Sequence, residues 1–172
     1  MKTVFEGLGS VSAARPFDAK HPLFQYRVES VPAEVAQLMK RYEHFVVVGL
    51  GGSVLPLKVF VKALGLEKRI SFLDSLEPRQ LEACLQIPSA LFCVVSKSGE
   101  TIEIHALLQE LWAAHRQKDI LIVTDAKSGS LRALAEEHGL ASLTIPQEVG
   151  GRFTHFTVLH RALLERLSLI HI

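Results

Sequence analysis

Short, mostly apolar runs alternate along this chain with longer stretches whose apolar positions recur every three or four residues. The runs fall at 45–48, 70–73, 91–95, 120–123 and 141–145, four or five residues each and mostly Val, Ile and Leu. Such runs are the pattern of strands covered on both faces, as in a parallel sheet. Between the third and fourth, Ile104, Leu107, Leu108 and Leu111 share one helical face, which predicts a helix from near Ile102 to about His115, with Trp112 read as part of its packing. Further helices are predicted over 54–64, stopped by Gly65, from Pro78 to about Leu85, and over 131–138, stopped by Gly139. Pro32 suits the first turn of a helix reaching about Tyr42. Residues 1–30, with Pro16 and Pro22 and no clear period, read as an irregular lead-in to a folded unit over 31–172.

The element order βαβαβαβαβ predicts an α/β fold: a doubly wound three-layer sandwich around a five-stranded parallel sheet. Parallel neighbours need crossover connections, and these are almost always right-handed. Ligands of such sheets bind beyond the carboxyl ends of the strands. Four polar turns lie at those ends: Gly49-Leu50-Gly51-Gly52-Ser53, Ser96-Lys97-Ser98-Gly99-Glu100-Thr101, Thr124-Asp125, and the run from Pro146 to Arg152.

Composition narrows the chemistry. A chain of 172 residues with 48% hydrophobic and 22% charged residues can bury a substantial core. Its 19 basic and 18 acidic residues give a formal charge of +1, so there is no electrostatic case for nucleic acid or an anionic membrane as partner. Cys84 and Cys93 read as reduced core thiols, which with the lack of a signal-peptide-like start or a membrane-length apolar run points to a cytoplasmic protein.

The glycine turn opens like a dinucleotide fingerprint, with Asp74 near the end of the second strand, but Val54 stands where the third glycine is required. No P-loop pattern occurs. The serine turn has two readings: its side chains cap the helix that follows, or they join that helix's N-terminal amides in binding a phosphate monoester. Gly150-Gly151 followed by Arg152 favours the second, because paired glycines let a ligand approach the backbone and arginine adds a permanent cation. The histidines are scattered singly, which argues against a zinc site.

Taken in order, Gly49-Leu50-Gly51-Gly52-Ser53, the serine turn, and Val149-Gly150-Gly151-Arg152-Phe153 resemble the three successive motifs of the amino-terminal sugar-isomerase (SIS) domain of glucose-6-phosphate isomerases. The resemblance spans roughly 40–160 and extends the SIS reading to 31–172. It implies that Ser96, Ser98 and Thr101, with the backbone of Lys97, hold a sugar phosphate, and that Gly52 and Ser53 line its sugar side. Gly151 and Arg152 would stabilise the enediolate formed as glucose 6-phosphate and fructose 6-phosphate interconvert. No metal or organic cofactor is implied, and a full-length protein would be a homodimer like most of the family.

The family's glutamate base and its ring-opening histidine and lysine follow the Gly-Gly-Arg motif, and this chain has only 20 residues after Arg152. The chain therefore reads as cut short and, alone, as inactive. Glu100 is expected to cap the helix it opens, Glu148 to be a solvated loop acid, and His155 an ordinary interface or helix-start residue. The alternative is a stand-alone SIS module that senses a phosphosugar without turnover; the arginine argues against it, since a sensor has no enediolate to stabilise.

Overall fold

Five strands form one all-parallel sheet: β1 (His44–Val48), β2 (Ile70–Leu73), β3 (Ala90–Ser96), β4 (Ile120–Asp125) and β5 (Ala141–Ile145), in the order β2-β1-β3-β4-β5. The computed structural model describes residues 29–167 apart from Ser128, with only the backbone described for His155 and Phe156. Most of the expected lead-in, the apolar stretch from 168 to 172 and the His155 side chain thus lie outside the described residues.

Alternation of side chains along the strands builds two cores. Phe45, Val47, Leu91, Cys93, Val95, Leu121 and Val123 face one way, against α1 (Ala33–Met39), α2 (Leu55–Ala63) and a last helix, α6 (Val158–Arg166). Val46, Val48, Phe92, Val94, Ile120 and Ile122 face the other, against α3 (Pro78–Leu85), α4 (Ile102–Ala113) and α5 (Ser130–Glu137). This is the three-layer arrangement that the alternating element order predicts, and it explains why β3 is buried at every position. Each fully buried Val, Leu, Ile or Phe contributes roughly 1.5–3 kcal/mol by leaving water. Cys84 and Cys93 are free and buried, as expected, and Trp112 packs on the second core.

Two local readings change. Pro32 precedes α1 as its N-cap instead of lying in its first turn, and α1 stops at Met39. Helix α6 is not foreseen in the sequence; Val158, Leu159, Ala162 and Leu163 place its apolar stripe in the first core. Its Arg166 donates from Nε to the Met39 carbonyl at 3.0 Å and from Nη2 to the Tyr42 carbonyl at 2.8 Å, which ties the last helix to the carboxyl end of α1. Among the described residues no helix is long and apolar enough to cross a membrane.

The strand order fixes the place of a ligand. From β1 the chain runs outward to β2, then returns to the other side of β1 as β3. The loops leaving β1 and β3 diverge at this switch point and leave a crevice at the carboxyl end of the sheet.

Candidate functional site

Both turns singled out in the sequence flank that crevice. After β1 the chain enters a short 3-10 turn, Gly51–Ser53, and a second one, Gly151–Phe156, follows β5. The two pack on each other. A Cβ added to Gly52 would lie 2.9 Å from Arg152 Cγ and 3.0 Å from Arg152 Cα, so the contact is closed to any residue but glycine unless the backbone moves. Gly151 approaches the serine turn, where its missing Cβ would stand 4.0 Å from Lys97 Cβ. Gly52, Gly151, Arg152 and Lys97, distant in sequence, therefore form one rim. Ser53 is half-buried beside Gly52. Arg152 is exposed, and its guanidinium makes no ion pair or hydrogen bond among the described residues.

The serine turn is held by its own hydroxyls. Ser96, buried at the end of β3, accepts the Gly99 N–H at 3.2 Å and shares a 2.9 Å hydrogen bond with Thr101 Oγ1. Ser98, exposed, accepts the Glu100 N–H at 3.2 Å. Thr101 is the N-cap of α4 but makes no side-chain cap hydrogen bond, so the first amides of that helix stay uncapped at the positive end of its dipole. Of the two sequence readings, the simple helix cap is the one this geometry disfavours. Glu100 does not cap α4 either. Its carboxylate accepts the Ser130 N–H at 2.6 Å and the Ser130 hydroxyl at 3.0 Å, which caps α5 instead. These two bonds hold the Glu100 carboxyl below the usual range.

Lys97 points away from the crevice. Its ammonium pairs with Asp125 Oδ2 at 2.6 Å and donates to the Pro146 carbonyl at 2.7 Å, tying β3 to the ends of β4 and β5. The hydrogen bond from Lys97, then the Lys127 N–H, keep the Asp125 carboxyl below its ordinary value. Any contribution of Lys97 to a ligand is thus left to its backbone. Next to Asp125, Thr124 is fully buried, pairs in register with Ser96, and has a hydroxyl without a partner among the described residues. A Cβ on Gly99 would meet that hydroxyl at 3.0 Å, so Thr124 lies directly beneath the serine turn. Asp74, the candidate ribose acid, is already engaged by Lys58 and by Gln80 Nε2 at 3.0 Å. Burial pushes its carboxyl up, but these partners outweigh that and hold it below the ordinary value.

Comparison with known proteins gives the same direction. No protein-family model matches the chain. A glucose-6-phosphate isomerase of Thermus thermophilus is 39% identical over 127 residues, 65% of this chain and 30% of that enzyme. One from Carboxydothermus hydrogenoformans is 28% identical over 152 residues, 76% of this chain and 33% of that enzyme. The chain thus spans about a third of the length of the curated relatives it matches. Among solved structures, a hypothetical protein from Thermus thermophilus superposes with a TM-score of 0.67 at 33% identity, covering 78% of this chain and 35% of that one. The sugar isomerase domain of an RpiR transcription factor from Sphaerobacter thermophilus superposes at 0.51 and 18% identity, covering 79% of this chain and 74% of that one. An Escherichia coli protein solved with a phosphosugar ligand does so at 0.59 and 18%, covering 80% and 74%. The last two likenesses speak for the fold alone. The chain is thus similar in sequence to part of glucose-6-phosphate isomerases and in fold to sugar-isomerase (SIS) domains.

Proposed function

We propose that the chain is the phosphosugar-binding part of a glucose-6-phosphate isomerase. The observation that carries this reading is the meeting of three turns at the switch point, with Arg152 packed on Gly52 and Gly151 beside Lys97. Ser96, Ser98, Thr101 and the Lys97 backbone take the phosphate, helped by the uncapped start of α4. Gly52 and Ser53 line the sugar side.

Moving a proton between C1 and C2 of the open sugar passes through an enediolate, which places negative charge on oxygen. Arg152, exposed and without a partner among the described residues, is the cation suited to that charge, and Gly151 lets the substrate approach it. A preorganised donor at such a position is worth on the order of 3 kcal/mol in the transition state. The phosphate contacts serve anchoring and orientation. Glu100 is engaged by Ser130 and Glu148 is an exposed loop acid, so the reading assigns the proton-abstracting base to neither.

Calorimetric titration with fructose 6-phosphate and with fructose, beside a coupled isomerase assay, tests this. Binding of the phosphate ester but not of fructose, without turnover, is expected. Equal affinity for both sugars would refute the phosphate site. In a full-length version, normal activity after Arg152→Ala would refute the role given to the arginine.

A further inference from the structure

Three donors converge on one backbone oxygen, the carbonyl of Gly99. His105 Nε2 lies at 2.9 Å, Ser130 Oγ at 2.8 Å and the Leu131 nitrogen at 3.2 Å. Ser130 Oγ is also 2.9 Å from His105 Nε2 and 3.0 Å from Glu100 Oε2. A carbonyl and a carboxylate only accept, so the pattern is satisfied when His105 carries a proton on Nε2 and donates it into the cluster. The Ser130 proton is then free to serve Glu100.

Helix capping does not account for this. Glu100 already caps α5 through Oε1 on the Ser130 N–H, whereas His105 sits in the first turn of α4 and reaches back to the turn that precedes its own helix. A carbonyl oxygen offers two lone pairs, and with the Ser130 proton on Glu100 the His105 Nε2–H and the Leu131 N–H fill both. The Gly99 carbonyl shares a peptide unit with the Glu100 N–H, and polarising one end strengthens the donor at the other. That N–H is spent on Ser98 Oγ, the exposed hydroxyl of the turn. With its oxygen occupied from behind, Ser98 must direct its own proton elsewhere, and the open side of the turn is where an anion would lie.

We propose that His105, together with Ser130 and Glu100, is a positioning group for the phosphate turn. It fixes the Gly99–Glu100 peptide and through it orients the Ser98 hydroxyl toward a phosphate monoester. This rests on the phosphosugar reading above. His105 is not given a contact with the ligand, so its effect is read in affinity and local order, with the fold as control.

The test compares the unmodified chain with His105→Ala and His105→Gln, since a glutamine amide can also donate to the Gly99 carbonyl. The readouts are fructose 6-phosphate affinity by calorimetry, amide hydrogen exchange at Glu100 and Leu131, and the melting temperature. His105→Ala is expected to weaken binding about tenfold, the scale of one hydrogen bond to a charged group. It should speed exchange at both amides with little change in melting temperature, and His105→Gln should restore most of both effects. Unchanged affinity and unchanged exchange in His105→Ala would overturn the proposal. So would a loss that follows the melting temperature and is not rescued by glutamine. The exchange arm needs no ligand: if the unmodified chain bound no phosphosugar, the phosphosugar reading would fall, and exchange would decide whether His105 holds the peptide.

Discussion

Gly99→Ala puts the construction of the serine turn at risk through two separable effects. Gly99 has φ +70°, and an L-residue in the left-handed region costs about 1–2 kcal/mol. An added Cβ would also meet Thr124 Oγ1 at 3.0 Å and Gly129 Cα at 3.2 Å. Thr124 is fully buried and Gly129 Cα is backbone, so neither can swing away as a flexible side-chain end would. Forcing such a contact costs about 1–3 kcal/mol more. The sum, about 2–5 kcal/mol, is a large share of the roughly 5–15 kcal/mol that holds a typical domain together. Gly65→Ala is the control: φ there is +65°, but nothing stands within 4 Å of the added Cβ. It carries the backbone strain and the same gain from a stiffer unfolded chain, without the crowding. Urea unfolding of the two variants should place Gly99→Ala below Gly65→Ala by about 1–3 kcal/mol. Equal losses would refute the claim that the serine turn is seated tightly on Thr124 and Gly129.

Four further outcomes are expected. Arg152→Ala, at an exposed site without partners among the described residues, should leave stability within about 0.5 kcal/mol in denaturant unfolding; in a full-length isomerase it should lower turnover about 100-fold. Lys97→Met strands the Asp125 carboxylate and should cost about 3 kcal/mol by the same measurement. Because the Asp125 carboxyl is held below its unfolded value in the native state, its contribution is complete above about pH 4 and is lost as pH falls through the lowered native value. The acid limb of a stability-against-pH curve should therefore flatten in Asp125→Asn. Cys93, whose thiol burial pushes up to about 12, should resist thiol reagents in the native protein and react only as the chain unfolds, followed by mass spectrometry.

How far the sequence reaches is clearest at the turns. The central strands were legible because burial on both faces leaves a nearly unbroken apolar run, whereas β2 and β5 at the sheet edges admit Ser71, Ser142 and Thr144, and Gly65 and Gly139 mark helix ends by their positive φ. Helix α6 was hidden because its apolar positions merge with the apolar stretch that follows, although Thr157, a residue type that favours N-caps, marks its start. The pairing of Glu100 with Ser130 spans 30 positions, whereas capping rules read only the adjacent helix. The same holds for His105, which looks like a scattered histidine until folding brings Ser130 to it. Thr124 was visible as a polar strand end, but its unpartnered hydroxyl beneath Gly99 depends on the register of β3 and β4. The contact of Gly52 with Arg152 likewise requires the strand order, since the two residues leave different strands.

An NMR titration of this chain with fructose 6-phosphate, following backbone amides, puts the shared pocket to the plainest trial. Shifts are expected to concentrate at Gly52, Ser53, Ser96, Lys97, Ser98, Thr101, Gly151 and Arg152, and inorganic phosphate should move the serine-turn subset alone. Shifts confined to other parts of the sheet, or none at concentrations where the sugar phosphate binds, would contradict a single site built from these three turns.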